Sequence, residues 1–281
     1  MGGSGRWGLL LWVACACSPG HVVQGRPYEL QVPAKASSAP LPLIILLHGH
    51  SASAFVQNTV FPFSSVVDSH QFLYVLVDGL RDTQNRRFWN ATDACCNFSQ
   101  LPVDDVGFLR AVIADVEATH AVDSKRVFLV GHSNGGFMAL RMACDASDVV
   151  SAVVSVAGAA HFEFPPCPGP AIPVLQIHGT ADETIHYEGG VTVGAVKGDY
   201  PSAAVTTLDY ATRNGCAATR SPLDALDLVG DSKAETTREL YDNCPSAAPV
   251  ELWSIVGAGH VPAFNAAWPG RVVDWLKDHT Q

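Results

Sequence analysis

Three residues in this chain have the types and spacing for nucleophilic acyl chemistry. Ser133 sits in Gly131-His132-Ser133-Asn134-Gly135, between the apolar run Val127-Phe128-Leu129-Val130 and the helical pattern Phe137-Met138-Ala139-Leu140. Strand, tight turn and helix around a Gly-x-Ser-x-Gly segment make a nucleophile elbow, in which small neighbours let the serine stand exposed above a sheet. The helix N-terminus beneath it favours negative charge. A free hydroxyl is a poor nucleophile at neutral pH and needs a base, normally a histidine whose tautomer is fixed by a buried carboxylate.

Two downstream strand ends supply these partners in the order nucleophile, acid, base. Asp182 follows Ile177-His178-Gly179, and His260 follows Gly257-Ala258-Gly259. Glu183 is the rival to Asp182. His279 lies in the closing helix and lacks a strand-end context. His132 and His178 fit packing around the elbow and the acid turn, and His132 is also placed to touch a substrate. His48 and His50 have no third ligand at metal spacing, so no metal and no cofactor are expected.

The elements that must position these groups alternate strand and helix. Leu43–Leu47 and Phe72–Val77 are continuous apolar runs, as expected of strands buried on both faces. A helix is expected over Thr59–His70, with Pro62 tolerated near its first turn. Asp78–Pro102 is a long polar loop. In it, Trp89 either walls a ligand site or pins the loop. Asp104-Asp105 open a helix running through Val116, as a cap rather than a catalytic pair. Strands follow at Lys125–Val130, Val149–Val156, Ile172–Ile177, Arg238–Tyr241 and Val250–Val256, with helices at Ser202–Asn214 and Ala266–His279. This is an α/β pattern, with a mainly parallel sheet covered on both faces. Strand ends in such a sheet share one edge, where residues remote in sequence meet.

The 281 residues are 48% hydrophobic and 16% charged, enough for one large core and too apolar for disorder. The net charge of −10, with no basic run, excludes nucleic acid as an expected partner. Residues 1–25 read as a secretory signal: Arg6 precedes an apolar run from Trp7 to Ala16, too short to span a bilayer, and the mature domain is expected over 26–281. A secreted monomer without membrane attachment is the expectation. Cys15 and Cys17 fall within the signal. The remaining cysteines, Cys95, Cys96, Cys144, Cys167, Cys216 and Cys244, allow 15 connectivities. Expected pairs are Cys144 with Cys167, Cys216 with Cys244, and the adjacent Cys95 and Cys96. Asn90-Ala91-Thr92 and Asn97-Phe98-Ser99 are candidate N-glycosylation sites.

Leu47-His48-Gly49, Gly131-His132-Ser133-Asn134-Gly135-Gly136, His178-Gly179-Thr180-Ala181-Asp182 and Gly259-His260 together resemble the secreted α/β-hydrolases grouped as polyhydroxybutyrate depolymerase-like and feruloyl esterase-like esterases. Cys95-Cys96, Asp104–Leu109 and Tyr187-Glu188-Gly189-Gly190 are similar to theirs as well. The likeness runs from about Arg26 to the last helix. It implies the α/β-hydrolase fold and an acyl-enzyme mechanism, with Ser133 as nucleophile, His260 as base and acid, and Asp182 as its orienter. The backbone N–H groups of Asn134 and His50 would form the oxyanion hole. The implied substrate is an ester: a hydroxyalkanoate polymer or oligomer first, a feruloyl or acetyl ester on plant polysaccharide second. Val261-Pro262-Ala263-Phe264 stands where many relatives carry Thr-Trp-Pro-Gly, so the pocket shape departs from theirs. A same-fold peptidase is disfavoured because no gating domain is read. An inactive binding protein is disfavoured because all three roles are filled.

Overall fold

The computed structural model describes residues 20–195, 197–230, 234–245 and 247–279; most of the expected signal lies outside these residues. A ten-stranded sheet is built from β1 (His21–Val23), β2 (Arg26–Gln31), β3 (Leu41–Leu47), β4 (Leu73–Val77), β5 (Val122–His132), β6 (Ala152–Val156), β7 (Val174–Gly179), β8 (Arg220–Leu226), β9 (Thr236–Tyr241) and β10 (Val250–Ile255). Their spatial order is β1-β2-β4-β3-β5-β6-β7-β10-β9-β8. The run from β4 to β10 is parallel. Antiparallel pairs close both edges.

The apolar runs follow from burial on two faces. Leu43, Ile45 and Leu47 of β3 enter one core, while Ile44 and Leu46 enter the other. On the first face lie α3 (Asp105–Thr119), α4 (Asn134–Asp145) and α5 (Ala203–Asn214), through residues such as Val112, Phe137 and Tyr210. On the second lie α6 (Trp268–Asp278), the short α2 (Val67–His70) and Phe61 and Phe63 beside α1 (Ala54–Val60). α3 is capped by Asp104, whose carboxylate accepts the Gly107 N–H, and α5 ends at Gly215 with φ +79°.

One reading is corrected. The helix expected over Thr59–His70 is broken. α1 ends at Val60, a 3-10 turn covers Phe63–Val66, and α2 is a single turn. The residue before a proline is pushed out of the helical region, so Phe61 cannot carry the helix through Pro62. His21–Val23, within the span 1–25 expected as the signal, pairs antiparallel with β2.

The three expected disulfides are present. Cys144–Cys167 ties the end of α4 to the segment before β7, and Cys216–Cys244 ties the end of α5 to the segment after β9. Among the described residues no helix is long and apolar enough to cross a membrane.

Candidate active site

The C-terminal ends of β3, β5, β7 and β10 carry Gly49-His50, Ser133, Asp182 and His260 to one edge of the sheet. The elbow is held by steric necessity. A Cβ on Gly131 would run into the Gly135 carbonyl, and one on Gly135 into the Leu47 carbonyl. Ser133 takes φ +53° and ψ −122°, a backbone shape that side chains other than glycine's seldom adopt. Its N–H donates to the Val156 carbonyl at 2.8 Å, which anchors the turn to β6.

His260 Nδ1 and Asp182 Oδ2 are 2.8 Å apart. The carboxylate accepts there, so Nδ1 carries the proton and Nε2 keeps its lone pair. Asp182 Oδ1 accepts the Thr184 and Ile185 N–H groups at 2.8 and 2.9 Å. His178 Nε2 donates to the Ile185 carbonyl at 2.7 Å and lies 3.4 Å from Asp182 Oδ2. Burial alone would raise the Asp182 pKa. The donors His178 and His260 outweigh it and hold this carboxyl well below the usual carboxylate range. Glu183 plays no part in this network.

Ser133 and His260 line one cavity of about 250 Å³ with Gly49, His50, Val56, Val60 and Val261. His132 shares its wall and donates from Nε2 to the His260 carbonyl at 2.9 Å. Burial, with the neighbouring His260, lowers the His132 pKa to about 4, so the ring is neutral above that. Asn134 is the first residue of α4, so its N–H has no carbonyl one turn back. His50 also lies on the cavity wall. The arrangement sets a hydroxyl and a histidine with a free Nε2 on the wall of a mostly apolar pocket, with an ionised carboxylate held at the histidine's Nδ1.

Trp89 does not touch this cavity. It is fully buried, its indole donates to the His48 carbonyl at 3.1 Å, and its backbone clasps the Asn134 side-chain amide at 2.7 and 2.9 Å. It pins the long loop to the elbow, the second of the two roles its position left open. His48 is also buried, between the Gly79 N–H and the Gly49 carbonyl, at 2.9 and 2.7 Å. The sequon amides are turned inward. Asn90 Nδ2 donates to the Val103 carbonyl, and Asn97 Nδ2 to the Leu101 carbonyl and to Asn90 Oδ1. The atoms a glycan would occupy are therefore used by the fold.

Two contributions were not read from the sequence. Gln57 is buried on α1, and its Oε1 accepts the Gly49 N–H at 3.1 Å, fixing the turn before His50. A glutamine among Phe55, Val56 and Val60 carries no signal of that role. Val56, Val60 and Val261 form the apolar wall, although Val56 and Val261 are exposed.

A family model described as Phospholipase/Carboxylesterase matches residues 104–198, which include Ser133 and Asp182. A putative esterase of Nocardia uniformis subsp. tsuyamanensis is 29% identical over 263 residues, covering 89% of this chain and 73% of that protein. The chain is an α/β-hydrolase esterase. Feruloyl esterase B of Piromyces equi is 27% identical, covering 78% of this chain but only 39% of its own length. A probable feruloyl esterase C of Aspergillus oryzae is 27% identical over 88% of this chain and 84% of that one. The fold matches an acetyl xylan esterase from Aspergillus awamori with a TM-score of 0.66 at 12% identity, over 90% of this chain and 94% of that one.

Proposed function

We propose that this α/β-hydrolase esterase removes acyl groups of the feruloyl or acetyl type from plant polysaccharide or its fragments, outside the cell, through Ser133, His260 and Asp182. The names of the relatives move the reading away from hydroxyalkanoate esters, the first expectation, and towards the second. The observation that carries the mechanism is the 2.8 Å contact between His260 Nδ1 and Asp182 Oδ2, with Ser133 and His260 on one cavity wall.

The steps follow from these groups. His260 Nε2 takes the proton of Ser133 Oγ as the oxygen attacks the ester carbonyl. The oxyanion is met by the Asn134 and His50 N–H groups. Nε2 then protonates the leaving alcohol, which departs and leaves an acyl-serine. Water attacks this ester, gives its proton to Nε2, and releases the acid and free Ser133. Asp182 stays ionised throughout and steadies the imidazolium. Three disulfides suit an oxidising compartment, and export belongs to the same reading.

The test compares purified protein with Ser133→Ala on methyl ferulate, acetylated xylan and 3-hydroxybutyrate oligomers. Turnover of the first two, lost in the variant, is expected. Turnover of the hydroxybutyrate oligomers alone would overturn the substrate assignment, and activity surviving Ser133→Ala would overturn the nucleophile.

A further inference from the structure

We propose that a second cavity, floored by the Thr92–Cys95 turn and bordered by Phe98, is a subsite for the sugar that carries the ester; this rests on the reading above. The cavity holds about 310 Å³, at the lower end of the roughly 300–1,000 Å³ of small-molecule sites. It adjoins the Ser133 pocket through two rings. His50 lines that pocket, Phe98 lines this one, and their centroids are 5.3 Å apart in an edge-on contact. A substrate with its carbonyl at Ser133 would thus lead its alcohol portion past His50 to Phe98.

The floor is preformed. Thr92 and Cys95 exchange both backbone hydrogen bonds, at 3.1 and 3.2 Å, and Cys95 is bonded to Cys96. The Thr92 hydroxyl is buried without a partner among the described residues, and a ligand hydroxyl would supply one. Gln100 adds an amide, and Asp93 faces the cavity together with Lys197, so the lining has no excess charge. A hydroxyl, an amide, a balanced charge pair and one aromatic edge match a neutral sugar ring, with polar rims and an apolar CH face. A hydroxyalkanoate chain offers ester acceptors and methyl groups and would match an apolar wall. A further cavity of about 260 Å³ shares Thr92, Asp93 and Lys197 and extends the furrow towards Phe162, so more than one ring fits.

The test uses Thr92→Val, which keeps volume, and Gln100→Ala, at an exposed site. Binding of acyl-free xylotetraose is measured calorimetrically on Ser133→Ala protein with and without each change. The ratio of kcat/KM for a feruloylated arabinoxylotriose to that for methyl ferulate is measured in the Ser133 background. The expected result is saturable xylotetraose binding, weakened about five- to tenfold by Thr92→Val, with the kinetic ratio falling in step. Thermal stability should be equal or higher, because an unpaired buried hydroxyl has gone. Sugar ester turnover without xylotetraose binding, and with the ratio unchanged in both variants, would overturn the subsite and leave the esterase reading standing. Xylotetraose binding that both variants weaken, in a protein that turns over no sugar ester, would keep the subsite and sink the polysaccharide-esterase reading.

Discussion

Asp182 divides its carboxylate between two tasks: Oδ2 holds His260 Nδ1 at 2.8 Å, while Oδ1 takes the Thr184 and Ile185 N–H groups. The carboxylate is therefore fixed by its own turn as well as by His260, as the proposed role of orienting the base requires. Asp182→Asn can keep the turn through its carbonyl oxygen, but it then presents an NH2 to His260. The imidazole must turn its lone pair to that NH2, which moves the proton to Nε2 and removes the base. We expect kcat to fall about 10³- to 10⁴-fold, far more than the loss of the carboxylate's share of stability would explain. Steady-state kinetics beside a melting curve checks this, and a melting point lowered in proportion to activity would count against it.

Ser133 carries the strain of the elbow at φ +53°. Ser133→Ala and Ser133→Gly both lose the proposed nucleophile, yet only glycine relaxes the backbone. The glycine variant should be the more stable of the two by about 1 kcal/mol, set against the extra freedom glycine brings to the unfolded chain. Urea midpoints for the pair decide the matter, and an alanine variant equal to or above the glycine one would mean that the turn stores no strain.

Acid should weaken the fold in two stages. Burial lowers the pKa of His48 and of His132 to about 4 in the folded chain, against about 6.5 when unfolded. Between these values the unfolded state binds more protons, so stability is full above about pH 6.5 and falls as pH drops towards 4. Each ring contributes a slope of roughly 1.4 kcal/mol per pH unit in mid-window. Asp182, whose pKa is depressed, acts lower: its share is present above about pH 3.9 and is lost below it. Unfolding free energies at pH 7, 6 and 5 test the upper window, where His132→Gln should make the slope shallower.

Much of this was legible because it is written in local chemistry. A run such as Leu43–Leu47 has no polar face, so it must be a strand covered on both sides, and Gly131 and Gly135 announce a turn without room for side chains. Ser202 and Gly215 mark the ends of α5 directly. The signal failed where contacts are long-range. β8 was missed because Arg220–Leu226 is a half-exposed edge with Pro222 and no alternation. Gln57 gives no hint that it holds Gly49, and Trp89 reads equally well as a wall or a pin until Asn134 is seen clasping it.

Arg26 and Asp105 form a buried pair of the same kind, invisible in sequence. Arg26 Nη1 donates to Asp105 Oδ1 at 2.7 Å, its Nη2 reaches the Asp78 carbonyl at 3.0 Å, and the guanidinium lies 3.4 Å from the Phe108 ring centre. Asp105 Oδ2 accepts the Asn90 N–H at 2.8 Å, next to the Trp89 backbone that holds Asn134. The pair thus ties the start of the sheet to the loop that pins the elbow. Asp105→Ala leaves an uncompensated guanidinium and should cost about 3–5 kcal/mol, whereas Arg26→Met with Asp105→Leu removes both charges and should cost far less. Denaturant unfolding of the single and double variants gives the coupling. If the double change were as costly as the single one, the loss would lie in packing around Phe108 rather than in the stranded charge.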